Sequence, residues 1–362
     1  MIFSLIINYK ELRMRGFTLF YAFFISFLRQ INIALWGGTV LIFKEFCMKD
    51  TKTNVLKWYS LLVLIIIAVM IAFSSCDTKT SIPIEMLSIP AGTFIMGSPD
   101  TEQDRNSDET QHSVTLSSFY MSKHEITQAQ WIEVMGSRKA LPKTNYGKGN
   151  NYPVYNVSWY DTLVFCNKLS MKEGLSPAYS INGSTDPAQW GTIPTDRDET
   201  WDTVAIIPNS IGYRLPTEAQ WEYACRAKTT TAYNIKDTIS SDTEYLRFIY
   251  QGLVPNIGDT IRDYTGWYED NSGGKTHHVG LKPINTWGLY DMHGNVYEWC
   301  WDWYGDYSDE AQTDPLGAFS GTKRVYRGGG FGSKDHVLRS AFRLKFNPNK
   351  RGHSTGFRIV RP

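Results

Sequence analysis

Cysteine is scarce, with five in 362 residues. That excludes a small fold stapled by disulfides. Neither sign of charge is in excess: 37 Lys and Arg face 36 Asp and Glu, a net charge of +1. The basic footprint of a general nucleic-acid binder is therefore missing, and no nucleic-acid partner is expected. A disordered acidic tail is excluded as well, because aromatic residues make up 14% of the chain and such tails lack them. Residues 85–362 contain no linker, low-complexity stretch or fixed-period repeat. One domain of about 275 residues is the simplest organisation.

What is present begins with a membrane signal. Residues 55–73, VLKWYSLLVLIIIAVMIAF, hold an apolar run preceded by Lys49, Lys52 and Lys57. Ser74, Ser75 and Cys76 follow directly. A basic start, an apolar stretch and small residues before a cysteine form a lipoprotein signal, so Cys76 is expected to be acylated and to hold the protein on a lipid membrane. An ordinary transmembrane helix is the other reading of the same run. Met48 stands where such a signal would start. Residues 1–47, with a second apolar stretch over Phe17–Leu28, then read as an over-extended N-terminus or an extra membrane segment. The expected organisation is a signal peptide over 48–75, a tether over 76–84 and a domain over 85–362. The protein is placed in a bacterial cell envelope, on its periplasmic or surface face. Eight of the basic and three of the acidic residues lie in residues 1–75, leaving 29 and 33, a net charge of −4. A mildly acidic body does not favour anionic lipid.

Only three helices announce themselves. One covers Thr127–Met135, with Thr127 as N-cap and Gly136 at the stop position. A second starts at Ser158 with Asp161 three residues on, a capping-box variant. It buries Leu163, Phe165, Cys166 and Leu169 and ends at Gly174. A third starts at Thr217 with Gln220 in the same relation and turns Trp221, Ala224 and Cys225 inward. The remainder is short β-like runs between Gly, Asn, Asp and Pro, which makes the class α+β. The segment Arg214–Arg226 reads as scaffold, and the acidic loop Glu102–Glu109 as solvated.

Six ordered segments carry a resemblance. They are Gly92-Thr-Phe-Ile-Met-Gly97, Phe119-Tyr-Met-Ser-Lys-His-Glu-Ile-Thr127, Pro153-Val-Tyr-Asn-Val-Ser-Trp159, Tyr213-Arg-Leu-Pro-Thr-Glu-Ala-Gln-Trp-Glu-Tyr223, Gly288-Leu-Tyr-Asp-Met-His-Gly-Asn-Val-Tyr-Glu-Trp299, and Arg327-Gly-Gly-Gly330 running on to Gly356-Phe-Arg358. Over residues 85–362 the sequence resembles the formylglycine-generating enzyme family, the sulfatase-modifying factors. The resemblance implies a C-type-lectin-like fold, rich in loops, with about three helices and short antiparallel strands.

Two carboxylates, Asp291 and Glu298, bracket a Gly294-Asn295 turn that can expose backbone carbonyls, and hard oxygen ligands suit calcium. The family is similar here: the resemblance implies a structural calcium on Asp291, Glu298 and the carbonyls of Gly294 and Val296. It also implies two copper(I)-binding cysteines a few residues past the Arg-Gly-Gly motif, which oxidise a substrate cysteine with oxygen. No cysteine follows Cys300, and soft copper(I) is poorly served by carboxylates, so copper is not expected and no catalytic residue is assigned. The iron-dependent sulfoxide branch of the fold needs a histidine-rich domain in front; no His-x-x-x-His spacing precedes this domain. The expectation is a lipid-anchored, non-catalytic binding or structural module. Its candidate ligand face lies in 331–355, with Phe331, Ser333, His336 and His353, for a protein or glycan ligand. A gliding or secretion-machinery lipoprotein subunit and a formylglycine-generating oxidase stand as alternatives.

Overall fold

A computed structural model describes residues 82–136, 146–234 and 261–362. The signal, Cys76 and most of the tether lie outside the described residues.

Strands β1 (Met86–Ile89), β2 (Gly92–Met96), β3 (His112–Leu116) and β4 (Phe119–Ser122) come first, followed by helices α1 (Gln128–Met135) and α2 (Trp159–Lys172). A short hairpin of β5 (Tyr179–Ser180) and β6 (Ala205–Ile206) encloses the single turn α3 (Glu199–Asp202). Then come α4 (Glu218–Arg226), α5 (Ile261–Thr265), β7 (Tyr297–Trp303), β8 (Gln312–Thr313), β9 (Arg324–Arg327), β10 (Leu344–Phe346), β11 (Thr355–Gly356) and β12 (Val360–Arg361). The main sheets have the orders β10-β9-β7-β11, β1-β4-β12 and β2-β3-β8. Most pairs are antiparallel; β11 with β7 and β3 with β8 are parallel.

The three expected helices form where their caps place them. Thr127, Ser158 and Thr217 each accept the N3 amide, and Gln130, Asp161 and Gln220 each reach back to the N-cap amide. Reciprocal caps of this kind satisfy two orphan donors at a helix start. Gly136 closes α1 at φ 67°, a conformation a side chain resists. Helices α3 and α5 add to the three expected; each is too short to show a period in sequence.

Two apolar clusters form the interior. Trp131, Trp159, Phe165, Trp299, Trp301 and Phe357 pack between α1, α2 and the four-stranded sheet. Met96, Val114, Phe119, Trp221, Cys225 and Cys300 pack around α4. All nine residues of α4 are buried, consistent with a scaffold role for Arg214–Arg226. Arg324 lies in this interior with no direct ion pair among the described residues: its guanidinium sits 3.8 Å from the Trp159 ring centre and 3.4 Å from that of Trp303, and donates to the Trp301 carbonyl at 2.7 Å. Facing aromatic rings partly replace the lost water of a buried cation.

The acidic loop is solvated along Gln103, Asp104, Asn106 and Ser107 but anchored at its end by a buried carboxylate. Glu109 is fully buried and takes Arg339 through both carboxylate oxygens, at 2.7 and 2.8 Å. Glu102 holds the same guanidinium at 2.6 Å, and the Asp104 carbonyl accepts from it at 2.7 Å. A buried arginine, 230 residues away in sequence, draws the loop inward.

Candidate cation turn and ligand face

Residues 291–298 bend as the sequence suggests. Asp291, Gly294 and Asn295 adopt φ of 56°, 96° and 62°, the left-handed region that favours Gly and Asn. A Cβ on Gly294 would lie 2.2 Å from the Trp267 carbonyl oxygen, so the turn is closed against that backbone. The Gly294 amide donates to the Gly328 carbonyl at 2.7 Å, and the Asn295 amide to Trp267 at 2.8 Å.

The structure brings Asp291 and Glu298 to one buried cluster and adds a third carboxylate, Glu125. All three are buried, at 3%, 0% and 0% exposure. Glu298 accepts from Arg358 Nε at 2.6 Å, from Arg358 Nη2 at 2.7 Å and from Trp221 Nε1 at 2.7 Å. Glu125 accepts from the Val296 amide at 3.3 Å and the Asn295 side chain at 3.2 Å. Asp291 Oδ2 takes the Gly280 amide at 2.7 Å, while its buried Oδ1 has no hydrogen-bond partner among the described residues. Burial pushes the Glu125 carboxyl well above the usual range, and the charges of Asp291 and Glu298 add to this. Burial carries Asp291 up to about 6 despite the Gly280 hydrogen bond. Lys282, buried over the Trp267 ring at 4.0 Å, is pushed down to about 8. Removing charge from water disfavours it, and here three carboxylates share one guanidinium.

Among the described residues no three His, Cys, Asp or Glu side chains converge as a metal set. A cation at this turn would depend on Asp291 Oδ1, the lone pair left on Glu298 Oε1, and backbone carbonyls of the Gly294 and Val296 type. The orphaned Asp291 oxygen fits such an ion; Glu298 is largely committed to Arg358. Glu125 was not singled out from sequence, although it stands inside the Phe119–Thr127 motif.

The 331–355 segment departs from a uniformly exposed face. Phe331 is 3% and Ser333 7% exposed. The Ser333 hydroxyl donates to the Tyr297 hydroxyl at 2.7 Å and accepts the Gly330 amide at 2.9 Å, because the turn after β9 needs that acceptor. His336 is partly exposed beside Asp335, and His353 is exposed. Tyr146, absent from the expected set, joins the face: its ring centre is 5.3 Å from Phe331 and 5.2 Å from His353. Phe331 and His353 therefore share one aromatic cluster.

Cys166, Cys225 and Cys300 are free and buried, and no disulfide forms among the described residues. Burial pushes the Cys225 thiol up to about 12 and raises Cys166 and Cys300 too. Cys225 lies 3.7 Å from His293 Nε2 and 3.5 Å from Ser340 Oγ, but burial lowers His293 to about 4. A neutral imidazole beside a protonated thiol is not an activated nucleophile.

The family described as sulfatase-modifying factor enzyme 1-like domain matches residues 73–362. Chaperone protein LppX of Paenibacillus barcinonensis is 33% identical over 313 residues, 84% of this chain and 99% of that protein. The formylglycine-generating enzyme of Bos taurus is 28% identical over 305 residues, 78% of this chain and 76% of that enzyme. Among solved structures, Treponema denticola variable protein 1 superposes with a TM-score of 0.62 at 33% identity, covering 76% of this chain and 95% of that one.

Proposed function

Because the chain belongs to the sulfatase-modifying factor enzyme 1-like family, we propose that it is a lipid-anchored envelope protein whose domain is a non-catalytic binding or structural module. One observation carries this reading. The stretch after Arg327-Gly-Gly-Gly330 holds no cysteine, and the three described cysteines are buried with raised thiol pKa values. Copper(I) oxidation needs two accessible soft ligands beside the substrate thiol. Tyr146 and His353, the exposed rings packed on the buried Phe331, are the surface offered to a protein or glycan ligand. Calcium is proposed as a structural ion at the Asp291 turn, where it would supply positive charge to a cluster short of it; the unpartnered Asp291 Oδ1 supports this. Cys76 is proposed as the acylated residue. A copper-loaded assay with oxygen and a Cys-x-Pro-x-Arg peptide tests the reading: no aldehyde product is expected, and robust conversion overturns it.

A further inference from the structure

A pocket of about 170 Å³ opens between the start of α4 and the loop that follows β7. It is separate from the cation turn and from the aromatic face. Asp302, Glu218, Arg343, Asp306 and His112 line it. Two of these charges cancel. Arg343 clasps Glu218 through Nε at 2.7 Å and Nη2 at 2.8 Å, and gives Nη1 to the Asp108 carbonyl at 3.1 Å. Its guanidinium lies over Tyr307 at 3.7 Å, so its donors are committed elsewhere.

Asp302 is different. It is 3% exposed. Its Oδ2 accepts the Glu218 amide at 2.7 Å, which caps the α4 start. Its Oδ1 has no hydrogen-bond partner among the described residues, and no salt bridge among them reaches the carboxylate. Gly317 packs against this group; a Cβ there would lie 2.6 Å from Oδ1 and 2.5 Å from the Asp302 Cβ. The chain thus brings its backbone up to the carboxylate, and the nearest positive charges, Arg343 and Arg324, act on it only through space, with no hydrogen bond or ion pair to it among the described residues. Burial, and then the Glu218 charge, push Asp302 up to about 7, more than the Glu218 amide and the charges of Arg343 and Arg324 pull it down, as expected for a buried acid with no directly paired cation. Asp306, exposed at the mouth, adds a second negative charge. Met96, Ala219, Pro315 and Ala318 give the pocket apolar walls, and Leu316 and Phe319, on the same loop, are 55% and fully exposed.

We propose that this pocket binds an aliphatic ammonium group, with Asp302 as its counter-ion and the apolar walls around its methylenes. The same chemistry is offered by a small free amine and by the lysine side chain of a peptide.

Calorimetric titration of the full, detergent-solubilised chain tests this. The probes are n-butylammonium, its neutral counterpart n-butanol, and the peptides Ac-Ala-Lys-Ala-NH2 and Ac-Ala-Gln-Ala-NH2. Saturable binding of one butylammonium per chain is expected, with butanol at least about tenfold weaker, the factor a desolvated charge pair readily supplies. A lysine peptide that binds more tightly than butylammonium assigns the site to a peptide; one that binds weaker assigns it to a free amine. Asp302→Asn should weaken butylammonium at least about tenfold. Gln312→Lys, which places the chain's own ammonium at the pocket, should abolish binding in protein with an unchanged melting curve. Equal binding of butylammonium and butanol, no binding of either, or full affinity in both variants overturns the proposal.

Discussion

Arg358 grips Glu298 through two parallel hydrogen bonds of 2.6 and 2.7 Å, both side chains fully buried. Burial works against the Arg358 charge, yet Glu298, joined by Glu125 and Asp291, outweighs it and the guanidinium is held above its ordinary range. Arg358 also donates to the Tyr290 carbonyl at 2.8 Å and the Ser122 carbonyl at 3.3 Å. One side chain thereby joins β4, β7 and the backbone at Tyr290, just before the turn. Removing Glu298 takes from Arg358 its hydrogen-bonded carboxylate, and removing Arg358 leaves three carboxylates buried together without their guanidinium. Glu298→Ala and Arg358→Met should each lower stability by about 3–5 kcal/mol, read from urea unfolding; a loss below about 1 kcal/mol, the range of exposed pairs, would contradict the geometry.

The calcium proposed at the Asp291 turn would carry a pH signature. Without an ion, the raised Asp291 pKa means that the folded state binds its proton more tightly than the unfolded chain does. That contribution is fully present below the ordinary value of 3.8 and is lost as pH rises through about 6. Calcium stabilises the ionised form, so a chelator should lower the melting temperature clearly at about pH 8 and little at about pH 5. Asp291→Asn should abolish the difference. Identical curves at both pH values, with protein stripped of metal, would exclude the ion.

Arg339 is the clamp of the acidic loop. Burial opposes the charge of Glu109, but hydrogen bonds from Arg339 and Ser98 outweigh burial and hold its carboxyl below the usual range. Arg339→Ala leaves Glu109 and Glu102 without their cation. The expected loss is about 3–5 kcal/mol, with early proteolysis within residues 99–110. Wild-type stability and protease resistance would refute the role.

Ser333 and His353 should respond differently to enlargement. Ser333→Trp forces bulk into a 7%-exposed turn and should cost about 1–3 kcal/mol. His353→Trp, on the exposed side of the aromatic cluster, should stay within about 0.5 kcal/mol. Thermal melts of both variants check the contrast, and equal effects would mean the face is placed wrongly.

Processing tests the anchor. Cys76→Ser should leave the precursor uncleaved and free of acyl label in cells given a labelled fatty acid. Mature-sized, normally membrane-held Cys76→Ser protein would remove Cys76 as the lipidated residue.

Local chemistry was legible in the sequence, and distant chemistry was not. The Thr127, Ser158 and Thr217 caps depend on a residue three positions away, and all three formed where expected. The Asp291–Glu298 turn was legible for the same reason, since Gly294 and Asn295 set its backbone. Glu125 reaches Asn295 and Val296 across about 170 residues, and Arg339 reaches Glu109 across 230; neither leaves a periodic trace. Ser333 and Phe331 looked like loop residues because small and aromatic side chains both occur there. Only the Tyr297 hydroxyl and the Tyr146 ring, supplied from elsewhere in the chain, reveal that these two are packed.

The order β1-β4-β12 sets a schedule for folding. Strand β4, made early, stands between β1 and a partner that is synthesised some 240 residues later, and the Arg358–Glu298 clasp waits on the same late segment. A ribosome that has released only residues up to about 350 has produced a chain with one edge of this sheet still open. Such a chain stays threadable, which would suit the passage through a membrane channel that the proposed envelope location requires.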